Sequence, residues 1–301
     1  MNQFRYSLFI LIGASSYGFQ ASIVKLMTNA GYEAAHAASS QYLFGLLLLF
    51  IPFILTKRVK VNGKQTLSLF GVGILLSLTG VFYAISIQEL SASVAIVLLF
   101  QFTWIGVLIE SIYLRTFPSH LKIISIILLW VGTPFAAGVS PEGLGLLNNT
   151  KGLVYGFLAA LMFALYLFFS GKAGKGVPTI QRSFIIAISG LLTTFLFISP
   201  AFIVDGTITD GLWKYGWPIG LFGVFVPVVF FALGTPHVDS GIAAILGAAE
   251  LPAAMIGAML IVGEQLTLGQ AAGIVLILIG IGVPQWRSRK NVDSKKFSSS
   301  C

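Results

Sequence analysis

Charge is the scarcest feature of this sequence: Asp, Glu, Lys and Arg together make up 9% of its 301 residues, while 56% are hydrophobic. A soluble domain carries about 25% charged residues, so too few are present here to clothe a water-facing surface. Cysteine is nearly missing as well. The one thiol, Cys301, excludes an internal disulfide and by itself holds no metal. No G-x-x-x-x-G-K-[ST] loop occurs, and Gly171-Lys172-Ala173-Gly174-Lys175 has the wrong spacing for one, which excludes a pump built on that loop. The three histidines, His36, His120 and His237, fall at segment ends, away from any mid-segment serine they would serve as a base. No Cys, His, Asp or Glu cluster has ligand spacing. The expectation is therefore a chain with no cofactor, no metal and no catalytic centre.

What the sequence has in abundance is apolar length. Ten segments stand out, at 6–27, 34–55, 67–87, 92–114, 121–139, 152–171, 183–203, 213–233, 240–262 and 269–286. Most approach the roughly 20 residues that a bilayer-spanning helix needs, and mean hydropathy is +0.93. Turn signals separate them, among them Asn62-Gly63, Pro118-Ser119 and Pro141-Glu142-Gly143. Arg5 before an apolar run invites a signal-peptide reading. That reading fails because the run continues to Leu26 and has a counterpart in the second half.

Net charge of +8 would suggest nucleic acid in a soluble protein. Here the positive-inside rule accounts for it. With ten spans and both termini cytoplasmic, the inner segments hold Arg5, Lys57, Arg58, Lys60, Lys64, Arg115, Lys122, Lys172, Lys175, Arg182 and the five Lys and Arg residues after 286. Only Lys25, Lys151 and Lys214 fall outside. No basic stripe interleaved with stacking aromatics marks a nucleic-acid surface.

Sliding the chain by 148 residues sets Tyr83-Ala84-Ile85 on Phe231-Ala232-Leu233, Val94-Ala95-Ile96 on Ile242-Ala243-Ala244, and Gly132 on Gly280; a shift of 146 sets Tyr17-Gly18 on Phe163-Ala164. Five helices per half is an odd number, so the halves insert with opposite orientation. Inverted repeats are a recurring device of secondary transporters, with the binding site near the midplane. The expected domains are 1–140 and 141–286, each a five-helix repeat, with a basic cytoplasmic tail at 287–301.

Several runs carry a family resemblance. They are Ser240-Gly241-Ile242-Ala243-Ala244-Ile245-Leu246, Glu250-Leu251-Pro252, Gly263-Glu264-Gln265-Leu266-Thr267 and Gly273 to Gly280, with looser matches at Tyr17-Gly18-Phe19 and Ser91 to Ile96. Together they resemble the drug/metabolite transporter superfamily, specifically its EamA-type members. Two departures stand out: the Gly-Glu pair that closes the penultimate helix of each half reads Arg115-Thr116 in the first, and Gln41 stands where many members carry arginine. The resemblance implies export or exchange of small metabolites, often amino acids or related compounds, without ATP hydrolysis.

Within this frame Glu250 is the leading candidate. It lies near the middle of the ninth segment, where an ionisable group costs at least a few kcal/mol unless it meets a partner or a wet cavity. Pro252 removes a backbone donor beside it. The pseudo-symmetric place in the fourth segment is assigned to Gln101, with Phe100, Phe102 and Trp104 around it. Tyr17 and Gln20, three apart, share a face of the first segment, and Tyr166 and Ser170, four apart, share one in the sixth. Taken singly, each of the polar groups other than Glu250 is better explained by hydrogen bonding between helices; their convergence points to substrate binding or coupling at Glu250, Gln101, Trp104, Tyr17, Gln20 and Tyr166. Other features read as structural: Glu110 snorkelling to the interface, Lys25 likewise with Glu33 as a weak partner, Thr267 and Gln270 as a capping box, Pro134 and Pro227 as kinks, and Gly216-Gly220 and Gly269-Gly273 as close helix contacts.

The expectation is an all-α plasma-membrane transporter of ten helices working by alternating access, with a small-molecule cargo, the lipid bilayer and possible coupling protons as partners. A monomer and a homodimer fit equally. A channel-like or lipid-moving protein stays open as the alternative, and an intramembrane enzyme has no residue set to support it.

Overall fold

The computed structural model describes residues 3–139 and 149–298, with side chains from residue 4 to residue 285; the break at Pro141-Glu142-Gly143, the expected domain boundary and Cys301 lie outside them. Among the described residues there is no strand. Nine helices among the described residues are long and apolar enough to cross a membrane, and the shorter apolar helix His120–Ala136 brings the spans to ten. The chain is a multi-pass membrane protein.

The first four spans are Gln3–Asn29, Ala34–Leu55, Gly63–Glu89 and Ala92–Leu114. His120–Ala136, Thr150–Ser170 and Thr179–Phe197 follow, then Ile208–His237, Ser240–Val262 and Leu268–Ser298. Their ends follow from local chemistry. Asn62 and Gln65 exchange side-chain-to-backbone bonds of 2.8 and 3.0 Å, closing a capping box at the third span. Thr267 and Gln270 do the same at the tenth, at 2.9 and 3.2 Å. The seventh span runs earlier than the apolar segment 183–203. Pro178 precedes its first turn and Pro200 bars continuation, leaving a 3-10 turn at Ala201–Ile203. The tenth helix outruns its apolar stretch, continuing through the basic residues to Ser298.

The repeats interlock about a pseudo-two-fold axis. The first span packs on the eighth and ninth, and the sixth mirrors it against the third and fourth. The second pairs with the seventh, the fourth with the ninth and the fifth with the tenth. Glycines permit these approaches. A Cβ on Gly273 would sit 2.3 Å from Ala136 N, and one on Gly220 2.5 Å from Gly45 N. The GxxxG expectation holds at Gly216-Gly220; at Gly269 only Thr267 is near, so one glycine of that second pair makes the contact.

The symmetry even overrides residue type. Gly263 closes the ninth span at φ +81°, and Arg115, its equivalent under the 148-residue shift, closes the fourth at φ +54°. Arg115 is the one non-glycine residue with positive φ among the described residues. The left-handed cap survives in the first repeat without the glycine that makes it comfortable.

The start of the first span and the apolar end of the last lie on one face: Tyr6 stacks on His237 with ring centroids 3.8 Å apart, and Ser7 donates to Gln285 at 3.2 Å. We call this the terminal face and the opposite one the far face.

Candidate functional site

The fourth and ninth spans are both broken. Ala92–Leu99 and Phe102–Leu114 are separate helices meeting at Phe100-Gln101, and Ser240–Gly247 and Glu250–Gly257 meet at Ala248-Ala249. The two breaks are related by the same 148-residue shift. Pro252 explains the second, since it brings no N–H to the turn behind it; the first has no proline, and its cause is not evident in the sequence. Under the shift, Glu250 falls on Phe102, and Gln101 falls on Ala249. The pseudo-symmetric partner of Glu250 is therefore a fully buried phenylalanine packed edge-on against Phe163 at 4.7 Å. The site is asymmetric, with a carboxylate at one break and an aromatic ring at the other.

On the terminal side of the breaks, helices 102–114 and 240–247 pack together. A Cβ on Gly106 would lie 2.5 Å from that of Ala244. On the far side, helices 92–99 and 250–257 are held apart by a cavity of about 260 Å³. Ser22, Lys25, Tyr83, Ser93, Leu251 and Glu264 are among its walls, so both repeats contribute. Its size approaches the lower end of small-molecule pockets, about 300–1,000 Å³.

Glu250 stands where closed and open parts meet. It lies deep among protein atoms while keeping part of its surface accessible. Tyr17 and Tyr83 are within electrostatic range. Among the described residues, none hydrogen-bonds or ion-pairs with its carboxylate. Span one crosses directly over it: a Cβ on Gly18 would be 2.4 Å from both Glu250 O and Ala254 N.

Tyr17 and Tyr166 meet beneath Glu250, on its terminal side. Tyr17 packs on Phe163 at 6.2 Å and Phe231 at 6.1 Å, and Tyr166 stacks on Phe163 at 5.8 Å and meets Phe231 edge-on at 5.9 Å. Both hydroxyls are buried without a well-formed hydrogen bond.

The other candidates turn elsewhere. Gln20 donates to Gln41 at 2.5 Å and lies against Gly223 in a π turn of span eight. Ser16 donates to Phe222 O in that turn at 2.6 Å. Gln101 accepts from Trp104 at 2.8 Å and Trp130 at 2.7 Å and donates to Val97 O at 2.8 Å. Trp130 is an exposed, lipid-side residue. Gln101 and Trp104 thus brace the outside of the fourth-span break, while Glu250, Tyr17 and Tyr166 share its interior.

Glu110 and Lys25 depart from the expectation made for them. Glu110 is buried (5% exposed) and paired with Lys122, whose Nζ is also 3.9 Å from Asp239. This links spans four and five to the entry of span nine and covers the terminal face. Lys25 pairs with Glu264, not Glu33, at the mouth of the cavity. Lys151 and Glu89 join spans three and six at 2.5 Å. Outside the spans, the hydroxyl and N–H of Thr207 hold the Asp205 carboxyl below its ordinary range. The Lys25–Glu264 pair is solvent-accessible, and such pairs contribute about 0–1 kcal/mol. The exchange Lys25→Glu with Glu264→Lys is therefore expected to fold normally, with a melting temperature within about 4 °C of the parent in detergent.

Sequence reasoning missed Tyr83 and Arg182. The internal repeat carried the signal for the first, since Tyr83 falls on Phe231 of the aromatic cluster. Arg182 resembled a loop cation until its helix proved to start at Thr179.

An interlocked pair of five-helix repeats, broken at the midplane around an accessible carboxyl and an aromatic cluster, defines a membrane transporter. The EamA-like transporter family matches the chain twice, over residues 4–137 and 150–283, and the chain belongs to that family. A protein from Archaeoglobus fulgidus described as an uncharacterized transporter is 27% identical over 267 residues, covering 86% of this chain and 89% of its own. A solved crystal structure, 15% identical, superposes with a TM-score of 0.72 over 94% of this chain and 98% of that one, which bears on the fold alone.

Proposed function

We propose that the protein is a secondary active transporter of the plasma membrane that exports or exchanges small metabolites, amino acids or related compounds among them, by alternating access. The observation that carries this reading is Glu250: an accessible carboxyl without a protein partner, at a helix break between the repeats and beside the cavity. Such a group is expensive in a membrane interior and suits a site that takes up a proton or a cationic group in turn.

Both termini lie in the cytoplasm on this reading, because that orientation places most lysines and arginines inside. The far face is then extracellular and the cavity opens outward. Residues 1–140 and 141–286 rock about the two breaks. Inward opening parts Gly106 from Ala244 and strains the Lys122 pairs with Glu110 and Asp239, while Lys25 and Glu264 close the outer mouth. Tyr17 and Tyr166 floor the site; Gln20, Gln101 and Trp104 hold the surrounding helices in place.

Purified protein in vesicles loaded with a mixture of amino acids and related metabolites tests this. Saturable, ATP-independent counterflow of at least one compound is expected, and its rate should respond to an imposed pH gradient. Flux that never saturates would replace this reading with a channel-like one.

A further inference from the structure

Arg182, in the first turn of the seventh span, is an oddity in a protein interior: a cation 7% exposed, with no carboxylate within ion-pair distance among the described residues. Its Nη2 donates to Ser170 O at 2.5 Å and its Nη1 to Ala232 O at 3.5 Å. Both acceptors sit in the last turns of their helices, Thr150–Ser170 and Val226–Gly234, where carbonyls lack intrahelical partners. Ala232 in particular would look four residues ahead to Pro236, which has no N–H to give. The guanidinium fills that place, and two helix C-termini offset part of its charge.

Capping leaves one donor over. Nε of Arg182 is buried with no partner, and the hydroxyl of Tyr166, fully buried one helical turn from Ser170 and within electrostatic range of Arg182, makes no well-formed hydrogen bond, with only the Ser170 hydroxyl near it. Unpaired buried donors are costly, and a buried cation with two carbonyls for company still favours an anion.

We propose that Arg182 Nε–H and Tyr166 O–H form a second, terminal-side subsite that receives the carboxylate of the cargo. Two donors suit the two oxygens of a carboxylate, and charge-assisted hydrogen bonds are the strong ones. The subsite lies below the aromatic cluster of Phe163 and Phe231, so cargo reaches it after passing Glu250. The inference rests on the transporter reading above for the word cargo, but its test is binding and needs no transport.

Benzoate and its neutral isostere benzamide are the probes, titrated at pH 7 onto purified full-length protein in detergent, with the thermal midpoint as readout. Near saturation benzoate is expected to raise the midpoint by about 2–8 °C, and benzamide by under about 1 °C. Tyr166→Phe and Arg182→Lys should each weaken the benzoate response by about 10-fold or more in concentration, and Arg182→Gln should remove it. Glu250→Gln should keep it, which separates this site from the Glu250 reading. Equal responses to the two probes, no response to benzoate, or a parental response in Tyr166→Phe overturns the proposal. If Arg182→Gln does not fold, Tyr166→Phe and Arg182→Lys decide it.

Discussion

Gly18→Val is expected to abolish transport and to lower the thermal midpoint by about 2–12 °C, the range that overpacking by about 1–3 kcal/mol gives. A single added carbon at this position already meets Ala254 N and Glu250 O at 2.4 Å and Ala253 C at 2.7 Å. All three are main-chain atoms, so no side chain can rotate out of the way. Span one must instead move by about 1 Å to restore an ordinary contact, and a packed interior transmits such a shift. The same helix carries Tyr17 into the aromatic cluster and Ser22 and Lys25 into the cavity wall. The site would therefore be disturbed even where folding survives. Gly80→Ala is the control, because nothing lies within 4 Å of a Cβ there. In its helix alanine is favoured over glycine by about 1 kcal/mol, so a parental or slightly raised midpoint is expected. Size-exclusion profiles, melting curves and vesicle uptake of the two variants give the comparison; parental uptake by Gly18→Val would mean that the helices do not cross here.

The contrast between these two glycines marks what a sequence can and cannot carry. Apolar length set the number of spans, and the odd count per half made the repeats inverted, because the bilayer constrains both directly. The identity of Glu250 as the outstanding intramembrane charge was equally plain, since polar groups are rare there. Facing is different. A helix that is apolar all round shows no amphipathic stripe, so the pattern did not say that Gly18 meets a neighbouring helix and Gly80 does not, or turn Gln101 outward to Trp130 and Tyr166 inward to Tyr17. Lys25 found Glu264, 239 positions away, instead of Glu33. Glu110 turned inward because Lys122, 12 residues on, folds back to meet it. The Gln101 assignment slipped for a simpler reason: a pseudo-symmetric site was sought by chemical likeness, while the repeat put Phe102 in that place. Broken symmetry of this kind suits a protein whose two halves fold alike while one of them holds the ionisable group.

Glu250→Gln is expected to separate stability from function. The substitution keeps shape and hydrogen-bonding capacity and removes the charge and the exchangeable proton. No described residue hydrogen-bonds or ion-pairs with the carboxylate, so folding loses no contact, and a neutral amide costs less than an ion in a poorly hydrated interior. The midpoint should therefore hold or rise. Transport should fall by about 10- to 100-fold, the equivalent of one hydrogen bond to a charged group, about 1.5–3 kcal/mol. The flux that remains should no longer respond to a pH gradient. A carboxyl kept for packing predicts the reverse: a lower midpoint with uptake and pH response intact. Glu250→Asp refines the test, because it keeps the titratable group but withdraws it by one methylene. If the group relays a proton through the cavity, the aspartate variant should stay pH-dependent at a reduced rate. If it clamps a cationic group on the cargo, the loss should fall on apparent affinity instead. The carboxyl thus offers two measurable identities, and the position of its loss, in rate or in affinity, assigns one.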